Sequence, residues 1–105
     1  MAEEVEPRVA RELWSSFVAM IRAYTAAHGL NGARQAVLEV GDGRLLVRAG
    51  DRRLRMKFDG ARGEWQREEG VAVPFTLDGQ GRVVAGGPPE EMDMVAERLA
   101  REIMR

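Results

Sequence analysis

The chain has 105 residues, enough for one modest hydrophobic core and too few for two independent ones. With 45% hydrophobic and 31% charged residues it has the apolar content to fold, and no apolar run approaches the roughly 20 residues of a membrane-spanning helix. It holds no cysteine, a single histidine and a formal net charge of -1, which exclude disulfides, thiolate chemistry and any multi-histidine metal centre or His-based triad within a subunit. Any electrostatic argument must therefore be local.

The opening MAEEVEPR is acidic and has neither the charge nor the apolar stretch of a signal peptide, which points to a cytoplasmic protein. From Val9 to Tyr24, Val9, Leu13, Phe17, Met20, Ile21 and Tyr24 recur at spacings of three and four and predict one face of a helix. A second set, Trp14, Val18 and Ile21, widens that face beyond what a single sheet contact would use, which implies a helix covered on two sides. Pro7 suits the first turn, and Gly29 after His28 suits the end.

After a turn over Gly29 to Gly32 the period changes. Ala36, Leu38 and Val40 alternate in one segment, Leu45, Val47 and Ala49 in the next, and Leu54, Met56 and Phe58 in a third, which predicts strands with one apolar face. Gly41-Asp42-Gly43, Gly50-Asp51 and Asp59-Gly60 mark hairpin turns. Glu64 to Glu68 reads as a fourth strand carrying Trp65. Val71, Val73, Phe75 and Leu77 make a fifth, where Pro74 implies an edge or a bulge. Asp78-Gly79-Gln80-Gly81 then turns the chain into a short sixth segment over Arg82 to Ala85.

The last element is a helix whose first turn is expected at Gly87-Pro88-Pro89-Glu90-Glu91, with the two acids complementing the positive helix end. Met92, Val95, Ala96, Leu99 and Ile103 fall on one face. The order predicts one two-layer α+β domain over residues 1–105: an N-terminal helix, an antiparallel meander of five to six strands and a C-terminal helix.

Few residues offer chemistry. His28 sits where a donor side chain interacts with unpaired helix carbonyls, and Ser15 and Ser16 lie mid-helix without the sharp turn that exposes a nucleophile. Gly41-Asp42-Gly43 and Gly79-Gln80-Gly81 lack the continuation of a phosphate loop. Gly86-Gly87 precedes a helix, but Pro88 and Pro89 remove donors there and Glu90 and Glu91 repel anions. Neither a catalytic residue nor a metal or cofactor site is expected.

Two surfaces remain. Gly41 to Arg67 carries eight bases against four acids, and Glu68 to Arg105 eight acids against four bases. Arg44 and Arg48 on one strand, with Arg53, Arg55 and Lys57 on the next, can form a cationic sheet face for nucleic acid or another polyanion. Alternatively these side chains solvate the face and pair with Glu64, Glu68 or Glu69 across strands. Trp65 is the one aromatic that could be displayed beside them for base stacking. The second surface is apolar: Trp14 and Val18 on the first helix, and Met94 and Met104 on the last, lie off the main stripes and are expected to be exposed. They predict a non-enzymatic protein-interaction module whose partner is a second copy, as a homodimer, or another protein. A small apolar ligand held between helix and sheet is a further reading, with no polar anchor visible for it.

Overall fold

A computed structural model describes residues 6–30, 35–60 and 62–105. Asn31 and Gly32 of the first turn, and the opening MAEEV, lie outside the described residues. The first element, α1, spans Pro7–Gly29. Pro7 stands in the first turn, where its missing N–H has no intrahelical partner to lose. The chain leaves through Leu30, whose N–H donates to the carbonyl of Ala27 at 3.3 Å.

Among the described residues seven strands follow: β1 (Val37–Gly41), β2 (Arg44–Ala49), β3 (Arg52–Asp59), β4 (Arg62–Arg67), β5 (Val73–Leu77), β6 (Arg82–Val84) and β7 (Glu90–Glu91). Each pairs antiparallel with its sequence neighbours, in the order β1-β2-β3-β4-β5-β6-β7. Gly43, Gly50 and Gly60 close the first three hairpins with φ of 65°, 63° and 67°, a region open to glycine at no steric cost. Pro74 is not on an edge strand. It pairs with Glu64 of β4, while β6 meets β5 only at Thr76 and Leu77, so no β6 ladder bond is lost at the proline.

The seventh strand is one more than the sequence predicts, and it takes the residues expected in the first turn of the last helix. Glu90 pairs with Val83 and Glu91 with Arg82. A residue before proline is disfavoured in the helical region, so Pro88 cannot start a helix ahead of Pro89, and α2 begins only at Met92, running to Met104.

Both helices pack on one face of the sheet and along each other. That face carries Leu45, Val47, Leu54, Met56, Phe58, Trp65, Phe75, Leu77 and Val83, all buried. From α2 come Met92, Val95, Ala96, Leu99 and Ile103, the stripe read from spacing. On α1 the buried arc is Ala10, Trp14, Phe17, Val18, Ile21 and Thr25, while Leu13, Met20 and Tyr24 are only partly covered. The expected exposure of Trp14 and Val18 is thus corrected: they are 6% and 7% exposed. The cause is that α1 meets both the sheet and α2, so its buried arc is broader than one contact requires. Trp14 stacks on Phe58 with ring centroids 5.1 Å apart and meets Phe17 edge-on at 6.4 Å.

Candidate anion-binding face

Among the described residues no helix lies over the opposite face of the sheet. Alternation along β2 and β3 sends Arg44, Leu46 and Arg48, then Arg53, Arg55 and Lys57, to that side, because their neighbours in the pleat fill the core. All five cations are exposed and Leu46 is half-buried. The register sets Arg44 directly across from Lys57 and Arg48 directly across from Arg53, with Arg55 across from Leu46. The structure therefore gathers the five basic residues picked out by the sequence into one stripe.

Acidic residues neutralise little of it. Arg48 reaches Glu39 of β1 at 3.4 Å, an exposed pair. Glu64 stands opposite Lys57 in the register but forms no ion pair with it among the described residues. Glu68, a second expected partner, accepts the backbone N–H of Arg53 at 2.9 Å instead. That bond, with help from its own backbone N–H and from Arg52 and Arg67, holds its carboxyl below the usual glutamate range. Among the described residues Glu69 makes no ion pair with the stripe either. Among the described residues, the ion pair that the stripe makes across strands is Arg48 with Glu39.

Two other bases of the segment serve the fold. Arg52 and Arg67 have the parity of the core face; Arg52 donates to the carbonyl of Glu102 at 2.7 Å, and Arg67 Nε to the Glu102 carboxylate at 2.7 Å. They tie β3 and β4 to the end of α2. The asymmetry between a basic middle and an acidic tail is thereby divided: part of it joins segments of the chain, and the stripe faces outward.

The surface around the stripe is concave at two places. A shallow hollow of about 440 Å³ is bordered by Leu46, Arg53, Arg55 and Gln66, with the acids Asp51, Glu68 and Glu69 also on its rim. A larger cleft of about 990 Å³ opens at the other end, between the start of α1 and the β2–β3–β4 end of the sheet. Arg44 and Lys57 line it, joined by Arg11 and Arg62, against Asp42, Asp59 and Glu64, with Trp14 and Phe58 alongside.

The remaining residues singled out from sequence lie elsewhere. Trp65 is 4% exposed on the core face, stacked on Phe75 at 5.0 Å, so it offers no ring for base stacking; its position opposite Met56 puts it on the apolar side of the pleat. Met94 is 62% exposed, whereas Met104 packs against the core. His28 lies at the end of α1, its Nε2 3.5 Å from Glu97 of α2. Ser15 and Ser16 are exposed on α1. Among the described residues no three acidic or histidine side chains come together as a metal site. The features that sequence reading passed over are Leu46, which breaks the apolar-inward alternation of β2, and the like-charge register. No family model matches the chain, and no curated protein and no solved structure resembles it closely enough to report.

Proposed function

We propose that the protein is a non-enzymatic, cytoplasmic interaction module that receives an acidic, extended polypeptide segment on the cationic stripe. The observation that carries this reading is the pair of like-charge oppositions, Arg44 with Lys57 and Arg48 with Arg53, on an uncovered face. Like charges directly across a ladder are destabilising, by roughly the 0.2–1 kcal/mol that opposite charges gain. Binding an anionic chain relieves that repulsion, so part of the binding energy is already stored in the free protein.

Geometry favours a polypeptide. Same-face positions on a strand repeat at about 6.7 Å, and an acidic segment in extended conformation repeats its side chains at the same interval. Carboxylates at alternate positions can then meet successive cations, with Leu46 offering an apolar point between them. Sheet-face recognition of single-stranded nucleic acid adds exposed aromatic rings, and the described outer face has none. Of the apolar residues expected to form a helical contact surface, only Met94 is largely exposed, so the helices offer less to a partner than the stripe does.

Fluorescence anisotropy provides the test. A labelled peptide of alternating Glu and Val and a labelled oligothymidylate are titrated at several salt concentrations, with Arg53, Arg55 and Lys57 all changed to Ala as control. The expected result is salt-sensitive peptide binding that the triple variant loses. Tighter, steeply salt-dependent binding of the oligonucleotide assigns the face to nucleic acid instead. Flat titrations for both mean that the stripe only solvates the sheet.

A further inference from the structure

The two edges of the sheet differ. At one end β7 is two residues long and runs directly into α2, a short edge of the kind that resists further pairing. At the other, β1 presents five residues in sequence and, among the described residues, has β2 as its one neighbour in the sheet. It contains no proline and no lysine, and its single charge, Glu39, is held by Arg48 at 3.4 Å. Nor does the helical layer reach over it. Val40 opposes buried Leu45 and has core-face parity, yet it is 49% exposed; Leu38, opposite buried Val47, is only partly buried. On the outer face Val37 is 54% exposed. An apolar strand with an unpaired ladder edge is a template for another strand.

We infer that β1 pairs antiparallel with β1 of a second copy of this chain, about a two-fold axis at Leu38, joining the two sheets into one. A two-fold axis perpendicular to the sheet pairs only residues on the same face, which leaves few registers. Centring on Glu39 sets two carboxylates against each other. Centring on Val40 removes Leu38 from the pairing. Centring on Leu38 sets Leu38 against its own copy and Val40 against Ala36 on the core side, and Glu39 against Val37 on the outer side. Since Val37 is itself paired with Arg48, each Glu39 then lies in one row with the Arg48 of the other copy. The interface is self-complementary in both apolar contact and charge, as an isologous contact requires. Both cationic stripes come to lie on the same side of the joined sheet.

This inference stands on the edge strand and not on the anion-binding reading, and its test needs no ligand. Sedimentation equilibrium of the full chain is expected to give a concentration-dependent mass reaching twice 11.7 kDa. Glu39→Arg, at an exposed site, is expected to weaken the dimer at least about tenfold while the circular dichroism spectrum is retained, and adding Arg48→Glu to restore it. Because the chain has no cysteine, single-cysteine variants report the register. Across the dyad, Leu38→Cys places its two Cα atoms about 4.5–5.5 Å apart, and air oxidation is expected to give a covalent dimer. Glu39→Cys places them about 8 Å apart, beyond disulfide reach, and is expected not to cross-link. A monomer at high micromolar concentration overturns the inference. So does a dimer indifferent to Glu39→Arg, or one that cross-links through position 39 and not 38.

Discussion

Gly63 of β4 lies between two phenylalanines, opposite Phe58 on one side and Phe75 on the other. Its missing side chain allows those rings to approach to 6.1 Å across three strands, and Phe58 in turn carries the stack with Trp14 of α1. A Cβ at position 63 would come within 2.6 Å of the Phe75 ring and 2.5 Å of the Lys57 carbonyl oxygen. Gly63→Ala is therefore expected to destabilise the protein by about 1–3 kcal/mol, the range for forcing atoms into a packed core. Urea denaturation followed by tryptophan fluorescence measures it. An unchanged midpoint means that the aromatic column yields at no cost.

Among the elements, β7 is anchored to α2 by Arg98, whose guanidinium donates to both carboxylate oxygens of Glu90 at 2.7 and 3.3 Å. This hydrogen-bonded pair lowers the Glu90 carboxyl below its ordinary value of 4.5 and raises Arg98. A carboxyl whose folded-state value is depressed adds stability above its unfolded value and loses it as pH falls through the folded one. Arg98→Ala is thus expected to lower stability at neutral pH, with the gap to the wild type closing as pH falls from about 5 through the folded-state value of Glu90. Denaturant titrations at a series of pH values check this, and a gap independent of pH counts against the linkage. The same region shows where sequence reading ends. Period-two alternation picks out the core-facing residues of β2 and β3, Leu45, Val47 and Ala49 then Leu54, Met56 and Phe58, and the hairpin glycines lie where they are expected. A two-residue strand has no period to detect, and two acids after two prolines have the local pattern of a helix start. The stripe of five cations was legible for the same reason as the strands. Its register, which sets arginine against arginine and lysine against arginine, depends on turn length and appears only when strands are paired. Trp14 and Val18 admit two readings from spacing: the widened face implies a helix covered on two sides, as α1 is, whereas the expected exposure holds only for a helix with one neighbour.

For the molecule as a whole, a basic stripe on one face and ion pairs around the helices respond to salt in opposite senses. Screening relieves repulsion within the stripe, so the wild type is expected to gain more thermal stability between about 0.02 M and about 0.5 M salt than the variant with Arg53, Arg55 and Lys57 all changed to Ala. Equal salt responses, read by differential scanning calorimetry, mean that the five cations do not interact. The arrangement of layers also bears on how the protein is made. Every strand pairs with its neighbour in sequence, so the sheet can assemble hairpin by hairpin as the chain emerges from the ribosome. The cover for Leu45, Val47 and Leu54 comes in large part from α2, which lies against β2 and β3 and follows every strand in the chain. Until α2 has been made, a nascent chain that already carries the whole sheet exposes an apolar face as well as an open edge. Burial of that face is thereby tied to the synthesis of α2, and a chain truncated before Met92 lacks the helix that lies against β2 and β3.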